Sequence, residues 1–473
     1  MDLHVTLDGR RDLTAQIYLQ VRAAILDGRL RPGEALPPTR DLATALAVSR
    51  NTANAAYEKL AAEGFLTSRV GVGTFVSNLP FHNEQALETP NSPLRPRPMW
   101  DTMPAPPDMS ATTARYDFRP GMPDATHFPF ATWRALLAGQ LRNSATTLGK
   151  YGEPLGHAGL RAAIARHVGV SRAVRATPSD IMITAGVQQA VDLIARVMLA
   201  PGDVVAVEDP GYPPVKRLFQ SLGLHVIGVP VDAEGLVVDH LPPNAKLVYT
   251  SPSHQFPLGY ALSLSRRLAL LAWADRTDAV IIEDDYDSEF RWTGRPVEPL
   301  HALDRTGRVV YVSSFSKVLL PTLRIGFCVA PPPLHSALRK AKHLADWHST
   351  GPLQGALAEF IDSGALSAHL KRMRRVYRTR RDRMAMAFDQ DFTDHLEPIT
   401  STAGLHVTAW LRTDRPGEDQ AIITRARDHD VALHSMTLCG VDHPPRQGFV
   451  FGYGLIATED VDEGLRRLRR AFT

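Results

Sequence analysis

Apolar residues recur at helical spacing near the start of the chain. Ile17, Val21, Ile25 and Leu26 fall on one face of a helix predicted over residues 13–26, and Gly28 stops it. A turn segment follows over 30–38, carrying Pro32-Gly33 and Pro37-Pro38. Thr39 is placed to cap a short helix over 40–46 and Ser49 to cap the next over 50–63, because a hydroxyl oxygen accepts orphan N–H groups of a first turn. In the second of these, Ala53, Ala56, Tyr57 and Leu60 follow the i, i+3, i+4, i+7 pattern of a buried face. Residues 68–76 predict a two-stranded wing turning at Gly71 and Gly73. Further on, short apolar, β-prone runs at 181–184, 203–207, 246–250, 279–283 and 309–313 alternate with longer helical patterns such as 188–199. That alternation predicts an α/β body with a largely parallel sheet.

Between Pro80 and Pro107 the pattern lapses into eight prolines with Asn, Ser, Thr and Glu, the composition of an extended linker. It divides the chain into a head over residues 1–78, a Pro-rich linker over 79–114 and a body over 115–473. No apolar run approaches the roughly 18 residues that span a bilayer, and residues 1–11 are polar, so a cytoplasmic protein without a membrane partner is expected. Cys328 and Cys439 match neither a disulfide framework nor a metal motif; they are expected as buried free thiols, and no metal is expected. The net charge of +3 discriminates little, and residues 1–80 hold nine Arg and Lys against eight Asp and Glu. Any case for DNA binding therefore rests on geometry.

That geometry is present in the head. Two short helices separated by Ala47-Val48-Ser49 have helix-turn-helix spacing, and the buried face leaves Arg50, Asn51 and Asn54 pointing outwards. Arg and Asn carry the paired hydrogen-bonding groups that fit guanine and adenine edges. Arg69 in the wing is suited to phosphate or the minor groove. Residues 10–77 resemble the winged helix-turn-helix domain of GntR-type regulators, through Leu36-Pro37-Pro38-Thr39-Arg40-Asp41-Leu42-Ala43, Val48-Ser49-Arg50-Asn51-Thr52, Ala62-Glu63-Gly64-Phe65-Leu66 and the wing. The resemblance adds Arg40, Ser49, Thr52, Gly71 and Gly73 as DNA contacts, and double-stranded DNA as a partner.

The body offers each group that pyridoxal 5'-phosphate demands of a protein: an amine, an anion for the ring nitrogen, a donor for the phenolic oxygen, a stacking surface and a phosphate cup. Lys317 follows a predicted strand, with Ser314 and Ser316 before it and Arg324 seven residues on, so the lysine can form a Schiff base while the others hold phosphate. The strand over 279–283 runs into Asp284-Asp285-Tyr286, which places Asp284 to pair with the ring nitrogen and Tyr286 to donate to the phenolic oxygen. Gly186, Val187 and Gln188 join a strand to a helix start, where backbone N–H groups cradle an anion. Tyr212 after another strand presents a stacking face, with plain packing as its alternative.

Residues 115–470 resemble aminotransferases of fold type I, and the whole chain resembles the MocR family of regulators. The resemblance implies a multidomain chain: an N-terminal winged helix-turn-helix plus a C-terminal α/β domain of the pyridoxal-phosphate-dependent aminotransferase fold. It also implies a homodimer in which head and body can be exchanged between subunits, with Tyr151 reaching the partner's cofactor. Two departures bear on the effector. Val450 falls where aminotransferases carry the arginine that grips a substrate carboxylate, and residues 251–259 lack the asparagines usually set beside the ring, leaving His254 or Gln255 as substitutes. The expectation is a regulator, as in the PdxR branch of the family, that senses pyridoxal phosphate itself and is not an enzyme. An amino-acid-responsive regulator and an active aminotransferase with an ancillary head are the alternatives.

Overall fold

The computed structural model describes residues 5–9, 11–69, 71–78, 94–105, 114–143, 149–293, 298–413, 415–442 and 445–472. Most of the proline-rich stretch, residues 79–93 and 106–113, thus lies outside the described residues, as does Val70 in the wing. The chain forms two compact units, Met1–Asp101 and Thr102–Thr473.

The first unit runs α1 (Leu13–Leu26), β1 (Ala35–Leu36), α2 (Thr39–Ala45), α3 (Arg50–Ala62), β2 (Leu66–Arg69) and β3 (Gly73–Val76). Its core gathers Ile17, Val21 and Ile25 of α1 with Ala53, Ala56, Tyr57 and Leu60 of α3, the faces the periodicity predicts. Leu26 departs from that pattern, since it lies at the last turn of α1 and is 40% exposed. Ser49 caps α3, its Oγ accepting from Thr52 N–H over 3.0 Å. Thr39 does not cap α2 but is its first residue. The Pro38 carbonyl already accepts from the amides of Asp41 and Leu42, at 2.9 and 3.0 Å, so the helix begins one position earlier than expected. The segment expected as a turn also contributes β1, which buries Leu36 by pairing antiparallel with β3 and makes the sheet three-stranded, β1-β3-β2.

The second unit is built on an eight-stranded sheet. After β4 (Tyr116–Asp117) come β5 (Ile181–Thr184), β6 (Val204–Asp209), β7 (His225–Asp232), β8 (Gly235–Leu236), β9 (Ala245–Thr250), β10 (Val280–Asp284), β11 (Val309–Ser314) and β12 (Gly326–Val329), in the order β5-β12-β11-β10-β9-β6-β7-β8. Neighbours from β7 through β11 pair in parallel, and β12 is antiparallel to both β11 and β5. The strands β5, β6, β9, β10 and β11 therefore run the same way and open their carboxyl ends on one edge, where α/β sheets present ligands. Every residue of β10 and β11 is buried, as expected of strands covered on both faces.

A 27-residue helix, Ala365–Asp391, leads to a second sheet and buries Leu366, Leu370, Met373, Tyr377, Met384 and Phe388 at helical spacing. The strands β13 (Leu396–Pro398), β14 (His406–Leu411), β16 (His434–Ser435) and β17 (Gly448–Gly452) form this antiparallel sheet, while β15 (Val431–Ala432) pairs with β4. Cys328 and Cys439 are buried free thiols. Among the described residues no helix is long and apolar enough to cross a membrane.

Behind the carboxyl edge, Arg172 donates from Nε to Asp285 over 2.7 Å and from Nη2 to Ser253 Oγ over 2.7 Å, and Tyr311 donates to the same Asp285 oxygen over 2.6 Å. This buried pair ties the loops after β9 and β10 to the end of the helix Ala158–Arg172. Arg172→Ala leaves an uncompensated buried carboxylate and is expected to destabilise the body by about 3–5 kcal/mol in denaturant unfolding of the full chain.

Candidate functional site

The loops that leave the carboxyl edge bring distant parts of the chain together around Asp284, the last residue of β10. Asp284 is 4% exposed, and Tyr249 of β9 donates to its Oδ2. Its Oδ1 is buried and finds no hydrogen-bond partner among the described residues. Burial, reinforced by the neighbouring charges of Asp285 and Asp287 and opposed by the Tyr249 bond, raises its carboxyl to about 7. Asp285 also has one oxygen without a hydrogen bond, but its charge is matched by Arg172.

Lys317 lies in the turn after β11, with Nζ donating to the Gly121 carbonyl over 2.5 Å. Burial lowers its pKa against the pull of Asp287 and Asp284, which favours the neutral amine. Between β5 and the helix Val187–Met198, Gly186 is the N-cap residue with φ +91°, and no side chain caps the first turn. A Cβ on Gly186 would come within 2.9 Å of the Arg324 guanidinium, which donates to the Ala185 carbonyl over 2.5 Å. A Cβ on Gly326 would meet Gly186 Cα at 2.8 Å, so the two glycines let β12 and the helix start close up beside Arg324. Ser314 ends β11 and its Oγ accepts from the Ser316 amide over 3.3 Å. The cradle therefore sets the uncapped start of a helix, the end of β11 at Ser314 and a guanidinium beside one another. Together with the unmatched oxygen of Asp284, it fits an anionic, ring-bearing cofactor with a protonated nitrogen.

Tyr212 stands after β6 with 39% of its surface open, its ring edge-on to Phe256 at 5.9 Å. Tyr286 Oη lies 3.0 Å from His254 Nδ1. Tyr151 does not join this group within the chain: it is 77% exposed and packs on Trp347 at 4.2 Å. Gln255 is occupied by the protein, its amide nitrogen donating to the Pro210 and Phe256 carbonyls at 2.8 and 2.6 Å and its oxygen accepting from Leu258 N–H at 3.0 Å. It is thus not free to replace a ring-side asparagine. Val450 is fully buried in β17, in an apolar cluster with Leu258, Ile399 and Met436. Tyr249, Gly121, Arg172 and Asp287 complete the site, and local sequence pattern did not single them out.

In the head, Arg50 and Asn51 are exposed at the start of α3. Ser49 and Thr52 spend their hydroxyls on each other, 2.8 Å apart, and on the cap. Asn54 donates to Glu58 over 2.7 Å, and Arg40 pairs with Asp41 at 3.1 Å, both on exposed surface. Gly71 and Gly73 have φ of +75° and +140°, and the Arg69 guanidinium lies over the Phe75 ring at 5.5 Å.

Comparison with known proteins agrees with both halves. Residues 13–76 match the model of bacterial regulatory proteins of the gntR family, and residues 123–446 that of aminotransferase class I and II. The probable rhizopine catabolism regulatory protein MocR of Rhizobium meliloti is 38% identical over 97% of this chain and 93% of its own. The HTH-type pyridoxine biosynthesis transcriptional regulator PdxR of Corynebacterium glutamicum is 34% identical over 96% of this chain and 95% of its own. Among solved structures, the multiple substrate aminotransferase of Thermococcus profundus superposes with a TM-score of 0.70 at 30% identity, covering 76% of this chain and 92% of that one. The chain belongs to the MocR family of GntR-type regulators, in which a winged helix-turn-helix head is fused to an aminotransferase-like body of fold type I.

Proposed function

We propose that this protein is a DNA-binding transcription regulator that binds pyridoxal 5'-phosphate, senses that cofactor itself and controls vitamin B6 genes. The observation that carries the reading is the buried Asp284 carboxyl with one oxygen unmatched. The N–H of a pyridinium ring is the partner such an oxygen lacks. When bound, the group supplies an aldehyde that condenses with amines and a ring that withdraws electrons. Lys317 would provide the amine, Gly186, Val187 and Gln188 with Ser314, Ser316 and Arg324 would hold the phosphate, Tyr212 would cover the ring, and Tyr286 would donate to the phenolic oxygen.

Val450 favours cofactor sensing over recognition of an amino acid. Its strand offers an apolar wall where an effector carboxylate would need a guanidinium. The name of the PdxR relative points the same way. The body then acts as a sensor without steady turnover. A homodimer would carry Tyr151 into the partner's pocket and present two heads to paired half-sites.

Borohydride reduction and peptide mapping should find the cofactor on Lys317, and loaded and cofactor-free protein should differ in affinity for a promoter fragment at fixed salt. Lys317→Ala should keep DNA binding and lose that difference; equal affinities in the wild type would remove cofactor sensing. Arg50→Ala should weaken specific binding by about 1–3 kcal/mol in a titration at constant salt, as expected for loss of a guanine contact. For Asp284 the folded carboxyl titrates near 7 against about 3.9 unfolded, so its contribution to stability is full at low pH and lost as pH rises through about 7. Asp284→Asn should therefore raise the melting temperature of cofactor-free protein more at pH ~8 than at pH ~5, while abolishing stabilisation by added cofactor.

A further inference from the structure

Beside the pocket, His254 and Asp287 form a dyad that the cofactor reading leaves unused. His254 Nδ1 lies 3.0 and 3.1 Å from the two oxygens of Asp287 and 3.0 Å from the Tyr286 hydroxyl. Asp287 is anchored in turn by Leu405 N–H, which donates to its Oδ2 over 3.2 Å. The imidazole is boxed in by two glycines of positive φ. A Cβ at Gly404 (φ +91°) would stand 1.8 Å from His254 Cε1, and one at Gly259 (φ +77°) 3.2 Å from Nε2. On a third side lies the His406 ring, 4.7 Å away between centroids. His254 is only 2% exposed.

Electrostatics decides which ring nitrogen carries the proton. A lone pair on Nδ1 facing both oxygens of a carboxylate would be repelled, whereas a hydrogen there is attracted to them. Nδ1 is thus the protonated nitrogen, and the equidistant Tyr286 oxygen faces a donor. Tyr286 therefore cannot donate to Nδ1, and its own hydroxyl hydrogen is left for another acceptor. The remaining nitrogen, Nε2, is buried and unpartnered among the described residues.

We propose that His254 and Asp287 are positioning residues that fix the direction of the Tyr286 hydroxyl, so that it donates to the phenolic oxygen of the bound cofactor and not to the protein. The proposal rests on the cofactor reading for the identity of that acceptor. A rival use of the same atoms exists: His254, Asp287 and His406 bring donor atoms within 4.8 Å of one another, and a divalent metal held there would compete with the dyad.

The ring nitrogen shifts of His254 in cofactor-free, 15N-histidine-labelled protein report the tautomer without any ligand. The wild type should show Nδ1–H, and Asp287→Asn should move the proton to Nε2, as an amide facing Nδ1 reverses the preference. In loaded protein, His254→Leu should lower the ratio of the long-wavelength phenolate band to the short-wavelength phenol band about tenfold, the loss expected for one charge-assisted hydrogen bond. Tyr286→Phe should do the same, with no further loss in the double variant. His254→Asn, whose amide can stand where Nδ1–H stood, should restore most of the ratio. Should Asp287→Asn fail to fold, the wild-type tautomer and the His254 variants still decide. A wild-type Nε2–H tautomer, or an unchanged spectrum in His254→Leu that still carries cofactor on Lys317, overturns the proposal. So does a stoichiometric divalent metal, retained through dialysis, that His254→Leu and His406→Leu both lose. Lack of any cofactor on Lys317 would instead sink the sensor reading, and the ligand-free tautomer tells the two failures apart.

Discussion

Three carboxylates within four residues, Asp284, Asp285 and Asp287, are carried by the end of β10 into the dry interior of the body. Each buried charge is costly unless something meets it, and the surrounding fold is largely an answer to that demand. Arg172 reaches across from a helix end to Asp285, and Tyr311 of the adjacent strand supports the same oxygen. Asp287 takes His254 and the Leu405 amide, which draws the second sheet against the loops of the first. Asp284 receives the Tyr249 hydroxyl and is left with one oxygen unmatched and, among the described residues, without an ion pair such as Arg172 makes with Asp285. A position whose demand the protein itself leaves unmet is one that a ligand can satisfy.

Much of this arrangement is legible along the chain, because parallel strands buried on both faces read as uninterrupted apolar runs and helices as 3.6-residue periods. The strand expected at 181–184 is β5, and the helix expected at 188–199 is Val187–Met198. Boundaries slip where two local signals compete. Thr39 has the side chain of a cap, but the carbonyl of Pro38 starts the helix first; Leu26 continues the apolar period past the point where the core ends. The residues that escaped prediction, Tyr249, Arg172 and Gly121, have no local signature of their role. They act through partners 35, 113 and 196 positions away, and only the closed fold sets those distances.

The head shows a related separation of roles. Ser49 and Thr52 resemble family DNA contacts, yet both hydroxyls are engaged with each other and with the cap at the start of α3, which fixes where that helix begins. That leaves Arg50 and Asn51 as side chains at the helix start with groups open to a base edge, while Asn54 is drawn to Glu58 and must exchange that bond to contact DNA. With almost balanced charge over residues 1–80, the head cannot lean on a strong general attraction to phosphate, so specific binding would have to rest on a few directed contacts.

In the proposed reading, the unmatched oxygen of Asp284 is also what makes the body a sensor and not merely a container. A site already satisfied when empty would gain little from its ligand, and its two states would differ little in free energy. Here the cofactor-free state keeps a buried carboxyl near neutrality, held back from ionising by burial, whereas a protonated ring would let it ionise against a partner. Filling the pocket therefore changes the charge balance of the β10 loop, to which Arg172, Tyr249 and the His254–Asp287 pair are all bonded. In that reading, occupancy would be coupled to the order of the loops on the carboxyl edge. A signal to the head needs a free-energy difference of this kind, because a ligand shifts an equilibrium only by its unequal affinity for the two states.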